Sequence, residues 1–236
     1  MTISPQKRMH AFPALSGTVA AAALLAAVLG CGASSSAPTS PAAPASEPPI
    51  VVALGDSLTA GPGLQRDETY PADLQRHATA AGYPHRIINQ GVTGDTSTDI
   101  ARRFDRDVVA GTRVLILAAG ANDGLQAVPV ATLRSNLTSM IERAQARGIR
   151  VLLCGMETPP THGFQYTIDF HRLFPDLAST YDVPLMPFLL MGIVGLPEYN
   201  LGDRVHPNAR GAQLIADNMW PYLEPLLQRT MSVTTR

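Results

Sequence analysis

Lysine is almost absent from this 236-residue chain, because Lys7 is the only lysine and every other basic residue is an arginine. Beyond residue 7, this absence excludes a pyridoxal Schiff base, a Walker A phosphate loop and a lysine general base. A basic stripe is also missing and the formal net charge is −1, so nucleic acid is not an expected partner. The composition, 45% hydrophobic and 16% charged, excludes a disordered chain and a coiled coil and indicates a globular protein.

The N-terminal segment has the layout of a secretory signal peptide. Lys7 and Arg8 form a short positive region, an apolar run rich in alanine and leucine covers residues 15–29, and no acidic residue precedes Glu47. The run is shorter than the roughly 20 residues that a membrane span needs. We therefore predict that residues 1–30 are removed during export, which leaves a mature chain without lysine.

The apolar run ends at Leu29-Gly30-Cys31, which resembles the lipobox of bacterial lipoproteins. That resemblance implies that Cys31 is acylated and tethers the protein to a membrane of the bacterial cell envelope, facing the periplasm or the exterior. Residues 31–49 are rich in serine, alanine and proline and predict a linker. The alternative is an ordinary signal peptide that is cut after Ala37, which would discard Cys31.

Cys154 is the only other cysteine, and we predict a buried thiol within a strand.

The rest of the chain alternates apolar strand-like runs with helical patterns. Five runs show little alternation between polar and apolar residues, which is typical of strands that are buried on both faces. They are Ile50–Leu54, Arg86–Asn89, Val114–Ala118, Arg150–Cys154 and Val183–Met186. Helices are predicted over 70–81, 96–109, 130–144, 170–181 and 208–227, with a break near Pro175 and a bend or split at Pro221. This alternation predicts one α/β domain with a parallel sheet, whose active site lies beyond the carboxyl ends of the strands.

Short polar motifs follow the first three predicted strands. Ser57 follows the first strand, and a serine hydroxyl acts as a nucleophile once a base takes its proton. Gly91 follows the second strand, and its N–H can approach a ligand closely because no side chain intervenes. Asn122 follows the third, and its amide can donate to a developing oxyanion. Each motif taken alone suits a simple turn equally well, so that alternative stays open here.

A carboxylate and a histidine lie close together before the last predicted helix. Asp203 is three residues ahead of His206, so its carboxylate can reach the Nδ1–H of the imidazole within one loop. That contact fixes the tautomer and leaves Nε2 to act as a base. The remaining histidines after the signal peptide show no metal-ligand spacing: His77, His85, His162 and His171. We therefore expect neither a metal nor a cofactor.

Taken together, these motifs resemble the SGNH, or GDSL, hydrolase family in order and spacing, over roughly residues 50–227. The matching blocks are Gly55–Leu58, Gly91, Gly120–Asp123 and Asp203–Pro207. Further short runs resemble the branch that holds acyl-CoA thioesterase, lysophospholipase and arylesterase activities. The resemblance implies a three-layer α/β sandwich around a five-stranded, flavodoxin-like parallel sheet. It places the hydrolase domain at 50–228, followed by a C-terminal tail at 229–236.

The resemblance also implies the roles of the site residues. Ser57, His206 and Asp203 would form a triad that cleaves carboxylic esters or thioesters of acyl chains without a metal, and the N–H groups of Ser57 and Gly91 with the Asn122 amide would hold the oxyanion. Arg204 departs from the family pattern, which often has glycine there, and this alters the loop or the charge at the pocket mouth.

The substrate and the partners are less sharply defined by the sequence. The apolar stretch at 187–196 favours acyl chains over sugars. Two alternatives remain, a carbohydrate O-acetylesterase on the same fold and a non-catalytic binding lipoprotein. The expected partners are a small-molecule acyl ester or thioester and, through Cys31, a membrane. We expect a monomer or a weak oligomer.

Overall fold

The computed structural model describes residues 47–231, so the predicted signal peptide, Cys31, most of the linker and residues 232–236 lie outside the described residues. Within the described part, five strands form one parallel sheet in the order β2-β1-β3-β4-β5. The strands are β1 (Ile50–Gly55), β2 (Arg86–Gly91), β3 (Thr112–Ala118), β4 (Arg150–Cys154) and β5 (Leu185–Met186). The chain moves outward from β1 to β2 on one side and to β3 on the other. This topology makes the carboxyl ends of β1 and β3 the expected place for a site.

Helices cover both faces of this sheet, which gives the three-layer α/β sandwich predicted from the sequence. Within residues 47–231 they are α1 (Ser57–Ala60), α2 (Tyr70–Ala80), α3 (Ser97–Asp107), α4 (Ala121–Leu125), α5 (Val130–Ala146), α6 (Phe164–Tyr181) and α7 (Ala209–Met231). Helix α2 packs against α7, and α5 packs against both α3 and α6. None of the helices in the described part is both long and apolar enough to cross a membrane.

Three prolines lie inside continuous helices, so the predicted break near Pro175 is wrong and α7 is not split at Pro221. Pro175 lies within α6, and Pro221 and Pro225 lie within α7. Proline removes one backbone hydrogen bond and crowds the preceding turn, but each helix buries an apolar face whose packing outweighs that cost. Helix α6 also begins earlier than predicted, at Phe164 rather than at residue 170. Helix α7 continues to Met231, so residues 229–231 of the predicted tail are helical.

The expectation that every strand is buried on both faces is wrong for β2. All six residues of β2 are exposed or half-buried, and the strand forms one edge of the sheet with a single neighbour. By contrast, every residue of β1 is buried.

Cys154 at the end of β4 is fully buried, as predicted. Burial raises the pKa of its thiol, so the unreactive protonated form persists at neutral pH.

Candidate active site

One hydrogen-bonded chain joins the three residues that the sequence proposes as a triad. Ser57 is the first residue of α1, directly after β1, and its Oγ lies 2.9 Å from Nε2 of His206. On the other side of the ring, Nδ1 of His206 lies 2.6 Å from Oδ2 of Asp203. Ser57 and His206 are 149 positions apart in the chain, so only the fold brings them together. In this geometry the imidazole can take the serine proton while the carboxylate holds the ring.

The two oxygens of Asp203 hold two different parts of the site. Oδ1 accepts the backbone N–H groups of Val205 at 2.9 Å and of His206 at 3.0 Å, which shapes the loop. Oδ2 is the atom that contacts the imidazole. The hydrogen bond with His206, followed by the two backbone hydrogen bonds, lowers the pKa of Asp203 to about 2. The carboxylate is therefore ionised throughout the neutral range.

An antiparallel bridge anchors this loop at its base. Asn200 pairs with Pro207 across the loop, and Leu201 donates its N–H to the carbonyl of His206 at 2.8 Å. The Asn200 side chain in turn donates to the carbonyls of Ile193 at 2.6 Å and Leu196 at 2.8 Å. The loop that carries Asp203 and His206 is thus fixed to the preceding apolar segment.

The side chain of Asn122 is oriented by one hydrogen bond. Asn122 lies in the first turn of α4, directly beyond β3, and its Nδ2 donates to the carbonyl of Asp95 at 2.8 Å. A carboxamide nitrogen carries two N–H groups, so one remains for a second acceptor. Asn122 and Ser57 line the same cavity. The amide is therefore positioned to donate to an oxyanion formed at Ser57.

Gly91 fits its position for a steric reason, but its N–H already has an acceptor. A Cβ at Gly91 would lie 2.1 Å from the backbone nitrogen of Ala60, so any side chain would push α1 away from the sheet. The N–H of Gly91 donates to Oδ1 of Asn89 at 2.9 Å, and Nδ2 of Asn89 donates to the carbonyl of Thr59 at 2.8 Å. An oxyanion would have to displace the Asn89 side chain to use this donor.

A buried arginine that was not predicted from the sequence, Arg103, hydrogen-bonds to the ends of two strands next to the site. The guanidinium of Arg103 donates to the carbonyls of Gly55 at 2.7 Å and Gln90 at 2.9 Å, at the carboxyl ends of β1 and β2. It also pairs with Asp95 and Asp107, each at 2.6 Å. The four-residue spacing of Arg103 and Asp107 is a readable sign of an ion pair. The hydrogen bonds of Arg103 to the two strands cannot be predicted from the sequence, because they depend on how α3 packs against the sheet.

Two buried aspartates support the loops that carry Ser57 and Asn122. Asp56 caps α1 by accepting the Leu58 N–H at 3.0 Å, and burial raises its pKa to about 6. Asp123 accepts the N–H and the Oγ–H of Ser97 at 2.7 and 2.6 Å, which joins the start of α4 to the start of α3. Both carboxylates lie next to proposed site residues without belonging to the triad, so we assign them a structural role.

Ser57 and His206 line a largely apolar cavity of about 420 Å³. Its other polar lining residues are Asn122, Glu157, Thr158 and Arg204. The apolar wall includes Leu125, Met156, Pro159, Phe188, Leu190 and Val194. Three of these residues come from the 187–196 stretch that we expected to favour acyl chains. Among residues 47–231, no three histidine, cysteine or acidic side chains cluster so as to bind a metal ion.

Comparison with known proteins agrees with this geometry. Residues 53–214 match the model of the GDSL-like lipase/acylhydrolase family. The chain is 34% identical over 178 residues to the esterase TesA of Pseudomonas aeruginosa, covering 75% of this chain and 89% of that protein. It is 29% identical over 178 residues to thioesterase 1/protease 1/lysophospholipase L1 of Escherichia coli K12, covering 74% and 83% respectively.

A solved structure shows the same fold. The crystal structure of AlinE4, an SGNH-hydrolase family esterase, matches with a TM-score of 0.64 and 36% sequence identity, and the match covers 76% of this chain and 96% of that one. The family and the fold class that the motifs predict are thereby confirmed. The chain belongs to the GDSL-like lipase/acylhydrolase family and is an ester hydrolase.

Proposed function

We propose that Ser57, His206 and Asp203 form a catalytic triad that cleaves carboxylic esters or thioesters of acyl chains. The observation that carries this assignment is the continuous hydrogen-bonded chain, 2.9 Å from serine to histidine and 2.6 Å from histidine to aspartate. Its serine end faces the apolar cavity. The names of the relatives, which include esterase, thioesterase and lysophospholipase, support the same reaction class.

The reaction proceeds in two acyl-transfer steps. Ser57 Oγ attacks the carbonyl carbon of the substrate while Nε2 of His206 takes the hydroxyl proton, and the carbonyl electrons move onto oxygen. The tetrahedral intermediate collapses, the bond to the leaving alcohol or thiol breaks, and His206 returns the proton to that group. Water then attacks the acyl-serine with His206 as base, which releases the carboxylic acid and restores Ser57. The Asp203 carboxylate stabilises the imidazolium in both steps.

The oxyanion has two well-placed donors in this proposal. The N–H of Ser57 lies in the first turn of α1, where backbone N–H groups have no partner within the helix. The second donor is the Asn122 amide, which lines the same cavity and keeps one N–H beyond its hydrogen bond to Asp95. The Gly91 N–H can donate to the oxyanion only after its present hydrogen bond to the Asn89 side chain is broken.

We expect Asn122→Ala to lower kcat about 10²- to 10³-fold and to change KM much less. The reason is that the amide contacts the substrate oxygen most strongly as negative charge develops on it. Steady-state kinetics on one p-nitrophenyl ester measures both constants. Asn218→Ala is the matched control, because Asn218 donates to the carbonyl of Met191 and does not line the cavity. A change in Asn122→Ala that is confined to KM would show that Asn122 binds only the ground state.

The substrate class is tested by hydrolysis of p-nitrophenyl esters of increasing chain length. Each methylene buried in the cavity contributes roughly 0.8 kcal/mol, so kcat/KM should rise from acetyl to medium-length chains and level off when the cavity is filled. An acyl thioester series with the same chains compares oxygen with sulfur leaving groups. A clear preference for acetyl groups, with activity on acetylated sugars, would support the carbohydrate O-acetylesterase alternative instead.

We also propose that the enzyme is exported and held at a membrane through acylated Cys31. The order of positive region, apolar run, cysteine and Ser/Pro/Ala-rich linker supports this, and Cys31 precedes the first strand of the described residues, which begins at Ile50, by 19 positions. More than one acyl chain is needed for stable attachment, and lipoproteins carry more than one.

Cys31→Ala is expected to move the enzyme from the membrane fraction to the supernatant with its esterase activity unchanged. Fractionation followed by an esterase assay measures both properties. Intact mass of the mature protein provides the independent check. A wild-type enzyme that is already in the supernatant, with an unmodified N-terminus at Pro38, would refute the anchor and support the cut after Ala37.

A further inference from the structure

Arg204 has a backbone conformation that its residue type disfavours. Its φ is +60°, in the left-handed region where glycine is the least strained residue. The conformation belongs to the turn that carries Asp203 and His206, since the N–H of Arg204 donates to the carbonyl of Leu201 at 2.9 Å. A glycine would form this turn with less strain, so the turn alone does not account for an arginine. A strained backbone within a functional site is grounds for asking what the side chain does there.

The side chain of Arg204 belongs to the wall of the active-site cavity. Arg204 lines that cavity together with Ser57 and His206, and no other arginine of the described residues lines it. Within residues 47–231 its guanidinium forms no ion pair and no side-chain hydrogen bond, unlike that of Arg103. The side chain is exposed to solvent and therefore accessible to a substrate.

The neighbouring carboxylates are already engaged by other groups. Asp203 contacts His206, and Glu157, which also lines the cavity, has its Oε1 2.7 Å from Nδ1 of His171. Arg204 thus adds an unpaired positive charge to the lining of a mainly apolar cavity, in which Glu157 is the one carboxylate. A negatively charged group on the substrate is its natural partner.

The position of Arg204 next to His206 indicates which part of the substrate it meets. His206 delivers a proton to the leaving group, so the leaving group must lie on the His206 side of the serine. The apolar wall formed by residues such as Leu125, Met156 and Phe188 is the part of the cavity that suits the acyl chain. Arg204 belongs to the same loop as His206 and lines the same cavity, which favours a place for its charge on the leaving-group side.

We propose that Arg204 is a specificity-determining residue that selects acyl esters or thioesters whose leaving group carries a negative charge, such as a phosphate. This inference rests on the proposed serine hydrolase function and refines it by naming the substrate class. Guanidinium groups bind phosphate, sulfonate and carboxylate oxygens through paired N–H donors. Because Arg204 is exposed, its effect is moderate and depends on salt.

The test uses three aryl esters with the same acyl chain. One is a neutral p-nitrophenyl ester, the second carries a sulfonate on the leaving ring and the third carries a trimethylammonium group there. The measured quantity is kcat/KM for each charged ester divided by kcat/KM for the neutral ester, at low ionic strength. Dividing each variant's ratio by that of the wild type removes the intrinsic reactivity of the esters.

Three substitutions at Arg204 separate charge from backbone effects. Arg204→Gln removes the charge, Arg204→Gly removes the side chain and relieves the backbone strain, and Arg204→Lys keeps the charge. Arg150→Gln is the matched control, since Arg150 is exposed at the amino end of β4, the opposite edge of the sheet. It removes the same net charge far from the cavity.

The sulfonated-to-neutral ratio should fall about threefold to fivefold in Arg204→Gln and Arg204→Gly and stay near the wild-type value in Arg204→Lys and Arg150→Gln. The trimethylammonium ratio should move in the opposite direction, and added salt should erase the differences. An unchanged sulfonated ratio in both charge-removing variants, or an equal fall in Arg150→Gln, would overturn the proposal. Absence of wild-type hydrolysis of the neutral ester would instead refute the serine hydrolase function itself.

Discussion

Ser57→Ala is expected to reduce ester hydrolysis by about 10⁶-fold in kcat, which is the scale of losing the nucleophile in a serine hydrolase triad. Without Oγ no acyl-serine can form, and the remaining groups cannot replace a covalent step. The fold should persist, because within residues 47–231 the hydroxyl hydrogen-bonds only with His206, and Ser57 lies at the cavity wall. Initial rates on a p-nitrophenyl ester and a thermal unfolding curve measure the two effects separately.

Ser179→Ala provides the matched control for this loss. Ser179 is exposed on α6 and does not line the active-site cavity, so its variant should retain full activity. Turnover near the wild-type level in Ser57→Ala would remove Ser57 from the catalytic role. A comparable loss in both serine variants would point to a general effect of handling or folding.

Asp203→Asn is expected to lower kcat about 10⁴-fold, with a much smaller change in KM. The amide keeps an oxygen that can accept the N–H groups of Val205 and His206, so the loop retains its shape. The amide nitrogen cannot accept the Nδ1–H of the imidazole, so the tautomer with a basic Nε2 loses its support. Steady-state kinetics with purified variants separates kcat from KM.

A second histidine–aspartate contact elsewhere in the molecule serves as the control. Nε2 of His77 lies 2.8 Å from Oδ1 of Asp217, between α2 and α7, and neither residue lines the cavity. Asp217→Asn alters the same kind of contact and should leave turnover unchanged. Equal effects in Asp203→Asn and Asp217→Asn would contradict a specific role for Asp203.

The charge of Asp203 persists across the pH range of an ordinary assay. Its pKa is lowered to about 2, so the carboxylate stays ionised in any assay above about pH 4. A fall in activity on acidification towards pH 4 therefore does not report loss of the Asp203 charge. Loss of the Asp203 charge would appear only at much lower pH.

The strands and the order of the site motifs were predictable from the sequence because they depend on local patterns. A buried parallel strand needs a continuous apolar run, and the run at 150–154 coincides with β4. The three-residue spacing of Asp203 and His206 allowed a contact within one loop to be inferred. The meeting of that loop with Ser57 was implied only by the resemblance to the SGNH family, because the loop precedes α7 and does not directly follow a strand.

The features that escaped prediction depend on tertiary packing. A break near Pro175 and a bend or split at Pro221 were expected, but the buried faces of α6 and α7 keep both helices continuous. The contacts of Arg103 with two strand ends arise from side-chain placement across α3 and the sheet. The hydrogen bond from the Gly91 N–H to the Asn89 side chain could not be predicted from the sequence either. A glycine at that position is equally compatible with an N–H that is free to bind a ligand.

The most direct test of the triad is covalent labelling with an organophosphonate, followed by intact mass and peptide mapping. A phosphonate reacts with a serine whose hydroxyl is activated by a base, and the oxyanion donors hold its P–O⁻ oxygen. We predict that the wild type gains a single adduct on Ser57, that Ser57→Ala gains none, and that hydrolytic activity disappears in proportion to labelling. An adduct on another serine, or full activity in protein labelled at Ser57, would contradict the assignment of Ser57 as the nucleophile.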